Sequence, residues 1–579
     1  MKNTMMKKRI ASLAAAAVMT ASCAAGTLSG TFSFLTGGAP ITAFAAESAV
    51  KFISTVGYGE GMYAMWSSVS GASGYNVYVD GTQIDSMLIR QYSGYMRADA
   101  VGLKAGSHTM KVVPVVGGKE DASKAAETKA TAYAHDRSGF GFVNGDSSGA
   151  YNKDGTLKTG ATVVYVTNDN KDKVSVSLPD KKGAATTVTG VQNILTNLKS
   201  NSKAGPVCIR FIGNITDPST LTNGDLYVDT VTCGVTIEGI GADATLNGFG
   251  LSIKKSSNVE VRNLGFMNCN SSEGDDCSLP AGNDHIWVHN CDFFYGDAGS
   301  DADQVKGDGA LDTKTSTYVT HSYNHFWDNG KCNLQGMKSE STETYITYHH
   351  NWFNNTQSRN PRARNAHIHS YNNLFSTNSE YGICASYNSK IFSECNYFEK
   401  AVNPLYAINI GKDKFSGTIK SFGDKFDNCD MGGEYAYKIA ESRNESVTIP
   451  NLVEGGDGYD NFDLELYSYD IQSPDEARAS VMELAGRMKT TANSGEVKIP
   501  EQNPDVEPVP QDDPVILMGD INDDGTLGVA DAVVFSKWLL GSANMTEEQG
   551  KRADMITDGE LNVFDLTALK KCIIDTLSK

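Results

Sequence analysis

Between Asp308 and Arg364 the sequence places two carboxylates, a lone lysine and three arginines, in that order: Asp308-Gly-Ala-Leu-Asp312, Lys331 after Gly330, and Arg359-Asn-Pro-Arg362-Ala-Arg364. Asp308 and Asp312 are four apart, so on a strand they share a face, because side chains alternate with period two. Two like charges on one face repel unless a cation sits between them. Calcium prefers such oxygen ligands and tolerates irregular geometry. Asp275-Asp276, upstream, can supply a third carboxylate from a preceding turn of chain. The lysine and arginines that follow suit an anion, so the stretch reads as a hard-cation site beside an anion site. A phosphate-type or purely structural anion clamp is the alternative for the arginines. The Asp-x3-Asp spacing alone says little, since surface aspartates are usually just solvated.

Residues this far apart reach one face only if a repeat carries them there. Beyond Ile209 the chain is rich in Gly, Asn, Thr and short β-branched runs. A loose motif recurs as Asn263-Leu-Gly-Phe266, Asn290-Cys-Asp-Phe293, Asn324-His-Phe326, Asn351-Trp-Phe353, Asn373-Leu-Phe375 and Asn396-Tyr-Phe398. Its phenylalanines lie 27, 33, 27, 22 and 23 residues apart. Such a period, with so little helix per repeat, predicts a parallel β-helix. Stacked asparagines would hydrogen-bond along its turns and stacked phenylalanines would fill its interior. The longer intervals predict loops inserted on one face. Leucine-rich repeats are the alternative, but their leucine pattern is missing. Gly190–Lys199 has apolar residues at helical spacing and predicts a capping helix. Ser473 to about Met488 predicts a terminal helix, with Ser473 as N-cap and Pro474 at the first position.

The flanks differ in texture. Met1–Arg9 carries three lysines and one arginine, an apolar run follows, and Ala43-Phe-Ala45 fits a cleavage site, so 1–45 reads as a secretory signal. A lipoprotein signal at Cys23 is the alternative. Beyond the signal lie 46 of the 50 basic residues and all 69 acidic ones, a balance of −23 that makes nucleic acid an unsuitable partner. No later run of 18 apolar residues occurs, so a soluble, exported protein is expected. The irregularly spaced cysteines include no Cys-x-x-Cys pair, so most read as small buried side chains and no zinc site is expected from them. Residues 46–134 read as a β-sandwich, in which a Trp66–Val79 strand run turns at Asp80-Gly81. A spacer is the default role for it, and carbohydrate binding the alternative. Residues 495–514 form an acidic, proline-rich linker.

The tail, 515–579, holds a duplicated calcium-loop pattern. Asp520, Asn522, Asp524 and Asp531 occupy positions 1, 3, 5 and 12 of the first loop, with Gly525 at 6 and Thr526 at 7. Asp554, Asp558, Glu560 and Asp565 recur 34 residues later, with Ile556, which offers no oxygen, at position 3. Each loop runs into an apolar helix. The segment resembles a dockerin, which implies a cohesin of a cellulosome-type scaffold as partner. The resemblance also implies an apolar contact through Val529-Ala530 and Val563-Phe564. A free calcium-binding domain without a partner is the alternative.

The Trp66-x-x-Val-x-Gly-Ala-x-Gly-Tyr75 pattern resembles fibronectin type III modules. Residues 135–494 resemble pectate lyases of polysaccharide lyase family one. The resemblance rests on Ala134-His-Asp-Arg-Ser-Gly-Phe140, Val235–Asp243, Asn283-Asp-His-Ile-Trp287-Val-His-Asn-Cys-Asp-Phe293, Tyr318–Phe326, Tyr345–Phe353, Arg359–Arg364 and His367–Asn373. It implies a mainly β chain: a right-handed parallel β-helix catalytic domain, preceded by the sandwich and followed by the small α-helical dockerin. It further implies calcium on Asp308, Asp312 and either Asp275 or Asp276, Lys331 and Arg364 on the substrate carboxylate, and Arg359 as the base. Arginine ordinarily stays protonated, so an arginine base needs neighbouring cations, and an alkaline optimum is expected. The implied activity is β-elimination of polygalacturonate by a secreted, cellulosome-tethered and monomeric catalytic unit. Two departures, His289-Asn290 and Asn329-Gly330, fall where the family has other residues. A pectin lyase acting on methylated polymer and an inactive calcium-dependent pectin binder are the competing readings. A hydrolase is disfavoured because paired acids with a Gly-His-Gly element are not seen.

Overall fold

The computed structural model describes residues 47–92, 94–216, 218–272, 274–294, 309–337, 343–407, 417–432, 437–445, 467–488, 518–522, 527–540, 542, 545–556 and 561–577. The expected signal, the linker, Asp308, Asp524, Thr526, Asp558 and Glu560 lie outside them. The chain divides into two compact units, Ala45–Asp505 and Val506–Lys579 together with the first 44 residues.

The first unit opens with two antiparallel sheets. One comprises Phe52–Tyr58, Gly61–Trp66, Ile89–Tyr92 and Tyr95–Val101; the other is built on Ala72–Val79, Gly106–Val116 and Ala126–Ala132. Trp66, Met62 and Ala98 of one sheet meet Val77, Met110 and Val112 of the other in a single core. Asp80 and Gly81 both have positive φ, as the expected hairpin turn requires, and Val79 pairs with Thr82. The module is fixed to the domain that follows it. Glu60, buried in it, is ion-paired with Arg137 and lies 3.0 Å from Arg262 of the following domain. Arg90 donates to the Ile240 carbonyl at 2.8 Å. Buried charges of this kind stay paired because separating them strands an uncompensated ion.

The remainder of the unit is a stack of parallel coils with an 18-stranded and an 8-stranded sheet. Each middle coil contributes one strand to the 8-stranded sheet and two to the larger one. Leu311–Thr313, Thr317–Ser322 and His325–Trp327 form one such coil. Phe266, Phe293, Phe326, Phe353, Phe375 and Phe398 are in register, and Phe426 extends the row. Their rings stack 4.4–5.2 Å apart inside the coils. Helix Val191–Leu198 buries Val191, Ile194, Leu195 and Leu198 against the same core. Its Gln192 amide pairs with both the N–H and the C=O of Tyr227 in Asp225–Asp229, the outermost strand of the smaller sheet. Helix Pro474–Leu484 starts on a Ser473–Glu476 capping box.

The asparagine row is shorter than the sequence pattern suggested. Asn324, Asn351, Asn373 and Asn396 each donate to the side-chain oxygen of the next member, and Asn396 donates to Asp424. Asn263 and Asn290 sit one residue off the row, at left-handed turn positions. Asp424 also accepts from Ser393 and Ser421, yet burial pushes its carboxyl up to about 6. The folded chain therefore holds a proton that the unfolded chain releases. This group's contribution is full below the ordinary carboxylate value and is lost as pH rises through about 6. Asp424→Asn continues the row without a charge. It is expected to raise unfolding free energy by about 2–3 kcal/mol at about pH 8 and to change it little at about pH 4. Urea unfolding at the two pH values checks this; equal effects at both would refute it.

The second unit packs helices Val529–Leu539, Glu547–Ala553 and Val563–Leu577 around Ile521, Phe535, Ala553, Leu569 and Ile573. Among the described residues no helix is long and apolar enough to cross a membrane.

Candidate functional site

Asp312, Lys331, Arg362 and Arg364 gather along the smaller sheet because successive coils stack there residue on residue. The Asp276 N–H donates to the Gly309 carbonyl (3.0 Å), Ala310 N–H to the Lys331 carbonyl (3.1 Å) and Cys332 N–H to the Ser358 carbonyl (3.0 Å). Lys331 and Ser358 form a parallel bridge, and Asn333 N–H donates to the Arg359 carbonyl at 2.6 Å. Asp275, Gly309, Lys331 and Ser358 therefore rise through four consecutive coils at one position, with Arg359 one residue further on. The rungs of such a stack are about 4.8 Å apart. Ala310, Cys332 and Ala363 are buried in the core, so the neighbouring Lys331, Arg362 and Arg364 face outward. Gly336, at φ 78°, admits the next strand closely: a Cβ there would lie 2.4 Å from the Arg364 carbonyl oxygen. Arg359 itself sits at φ 62° on a half-buried turn.

The structure brings Asp275 and Asp312 together. A Cβ on Gly309 would fall 2.6 Å from Asp312 Oδ1 and 2.8 Å from Asp275 Oδ1, so both carboxylates line the hollow that the glycine leaves. Their side chains are only 1% and 2% exposed. The Lys314 ammonium lies 3.4 Å from Asp275 and 3.5 Å from Asp312, and Leu334 N–H donates to Asp312 at 2.9 Å. Two buried carboxylates that line one hollow offer the oxygen ligands a hard cation prefers.

Asp276 does not belong to this group. Cys277 N–H donates to the Ala310 carbonyl and Cys277 pairs with Leu311, so Asp276 holds in its coil the core place that Ala310 holds in the next. Neither carboxyl oxygen has a hydrogen-bond partner, and burial pushes the group well above the usual carboxylate range. It lies among core side chains, apart from the hollow that Asp275 and Asp312 line. Lys314 was not singled out from sequence. It lies two residues after Asp312 and hence on the same face of the chain, a signal that exists only once the strand is placed.

The two departures occupy different faces. His289 is fully buried on the larger sheet, stacked on Trp287 with centroids 3.6 Å apart, and its Nε2 lies 3.2 Å from Glu260. Asn329 is buried two residues before Lys331, and neither of its amide atoms is hydrogen-bonded.

In the second unit the duplication is visible in the hydrogen bonds. Asn522 N–H donates to Asp531 Oδ1 and Gly528 N–H to Oδ2; 34 residues on, Ile556 N–H donates to Asp565 Oδ1 and Asn562 N–H to Oδ2. Asp531 and Asp565 are fully buried, and Asp520 nearly so. Asn522 is half-buried beside it, and Asp554 stands at the equivalent place in the second loop. Val529 and Val563 open their helices 62% and 59% exposed. Ten cysteines, from Cys208 to Cys572, are free thiols, most of them buried.

Residues 123–490 match the family model for pectate lyase, and residues 518–574 match that for the dockerin type I domain. A pectate trisaccharide-lyase of Bacillus licheniformis is 32% identical over 225 residues, covering 38% of this chain and 64% of the relative. Pectate lyase C of Dickeya chrysanthemi is 34% identical over 195 residues, covering 33% of this chain and 51% of the relative. The chain thus spans less than two thirds of the length of either. A solved pectate lyase from Bacillus sp. N165, in complex with trigalacturonate, overlaps with a TM-score of 0.45 at 22% identity, covering 61% of this chain and 99% of that one.

Proposed function

Because this chain belongs to the pectate lyase family, we propose that it cleaves de-esterified homogalacturonan by calcium-dependent β-elimination, releasing unsaturated oligogalacturonides. The observation that carries this reading is the stacking of Asp275, Gly309, Lys331 and Ser358 through four consecutive coils, with Asp312 beside Gly309 and Arg359 next to Ser358. Lys331 and Arg364 hold the carboxylate of one galacturonate and neutralise it. Neutralisation acidifies the adjacent C5 hydrogen and stabilises the enolate-like species that its loss creates. Arg359 removes that proton, the C4 glycosidic oxygen departs with the bond's electron pair, and a C4–C5 double bond remains. Asp275 and Asp312, with Asp308, would hold calcium, which when bound supplies positive charge opposite the same carboxylate.

The reading extends to the flanks. The 515–579 segment docks the enzyme on a cohesin of a cellulosome-type scaffold outside the cell, through calcium-ordered loops and the exposed Val529 and Val563. Residues 46–134 form a fibronectin type III-like module that extends the lyase domain rigidly. An inactive, calcium-dependent pectin binder is the second reading, favoured only by the unsatisfied Asn329 beside Lys331. Incubation with polygalacturonate separates the possibilities. Rising ultraviolet absorbance of a conjugated product is expected. New reducing ends without absorbance would replace the lyase with a hydrolase, and binding without either would leave the inactive binder.

A further inference from the structure

Across the coils from the column just described, on the larger sheet, three ligand-type atoms converge: Asp136 Oδ2, His349 Nδ1 and His350 Nδ1, all within 4.8 Å of one another. The two nitrogens are 3.0 Å apart, and His349 Nδ1 is 3.8 Å from Asp136. Consecutive residues of a strand point to opposite faces. Here His349 ends the strand Thr344–His349, and a left-handed bend at His350, φ 54°, swings the second ring back beside the first.

Each donor is held in place by its other contacts. Asp136 Oδ1 accepts from the Ser138 N–H and hydroxyl, which leaves Oδ2 for the cluster. His349 is fully buried and stacks flat on Tyr371, while His350 stacks flat on Tyr323. His350 Nε2 lies 3.1 Å from Gln472 Oε1, an acceptor, so that nitrogen carries the proton and Nδ1 presents a lone pair. A histidine oriented by hydrogen bonding through its second nitrogen is the usual arrangement of a metal ligand. Tetrahedral ligands on bonds of about 2.0–2.1 Å stand about 3.3 Å apart, and the observed separations bracket that value. A cavity of about 230 Å³, walled by Tyr133, His135, Asp136, Tyr323, Gln472 and Glu483, adjoins the cluster and leaves room for a fourth ligand.

The geometry points to a second metal site, made of Asp136, His349 and His350, for a zinc-class divalent ion. Two imidazoles and one carboxylate suit zinc, cobalt or nickel, whereas calcium takes six to eight oxygens. Such an ion ties three segments: the run leading into the coils, one middle coil, and, through Gln472, the segment that returns across the sheet.

The test uses the full chain in excess calcium, so that oxygen-rich sites are filled, with zinc and cobalt as probes. One zinc per chain and a visible tetrahedral cobalt band are expected. His350→Gln and Asp136→Asn should each weaken zinc binding by about 10–100-fold, with polygalacturonate turnover unchanged. Crystals of the unaltered protein grown with zinc need no variant. An anomalous peak between the three atoms supports the site. No peak there, or zinc uptake undiminished in folded His350→Gln, overturns it and leaves an Nδ1–H···Nδ1 hydrogen bond between the histidines.

Discussion

Arg359→Lys is expected to lower turnover on polygalacturonate by about 10³-fold, within the range typical of losing a positioned acid or base, while KM changes little. The turn carrying Arg359 is pinned on both sides. The Ser358 hydroxyl donates to the Gly330 carbonyl at 3.0 Å, and the buried Asn360 amide bonds Thr356 and the Tyr381 carbonyl. The guanidinium stem therefore starts from a fixed point at φ 62°. Lysine keeps the charge and so the attraction for a polyanion. It replaces the planar fork by a point charge on a flexible four-carbon stem, which cannot present the same nitrogen in the same orientation. Steady-state kinetics with separate kcat and KM decide the matter. Turnover retained within about tenfold would assign proton removal to another group.

Removal of calcium is expected to cost about 10²–10³-fold in activity, on the scale of the several kcal/mol that a bound cation supplies, and readdition should restore it. Asp275 and Asp312 both face the Lys314 ammonium at the hollow over Gly309. Two carboxylates beside a polyanion's binding place repel the substrate's own carboxylate, and a bound calcium would offset that repulsion. Asp312→Asn should raise the calcium concentration needed for half-maximal activity and leave cohesin binding alone. Asp520→Asn, in the other unit, should weaken cohesin capture and leave elimination alone. Undiminished activity in chelator would remove calcium from the catalytic account; undiminished capture by Asp520→Asn would remove it from docking.

Much of this was legible in the sequence where one period governs the structure. The phenylalanine spacing led to the coil stack because each ring fills the same place on successive turns. The duplicated loops were legible because oxygen ligands at fixed offsets are uncommon by chance. What stayed hidden depended on where strands begin and bend. Asp275 and Asp276 are indistinguishable as letters. Only the register with Gly309 and Ala310 turns one to the hollow and the other to the core. Lys314 joins the pair through strand parity. Asp136 is far in sequence from His349 and His350, and two adjacent histidines read as opposite-facing until the left-handed bend is known. The fusion of the first module through Glu60 rests on partners supplied by another domain, which its own sequence pattern does not encode.

The segment from Tyr467 to Met488 runs against the order of the coils. It meets Thr347 and Glu394 at one end, Asn372 and Tyr323 in the middle, and Asp292, Ala244 and Asn263 at the other. A solenoid whose turns touch only their neighbours behaves as a one-dimensional array and can lose its terminal turns singly. Here a single clasp spans many turns, so an end turn cannot peel away without loosening contacts shared with turns far along the stack. Melting becomes a collective event rather than a progressive unzipping, and the coils that carry Asp275, Lys331 and Arg359, midway along the stack, are held in register by both ends at once.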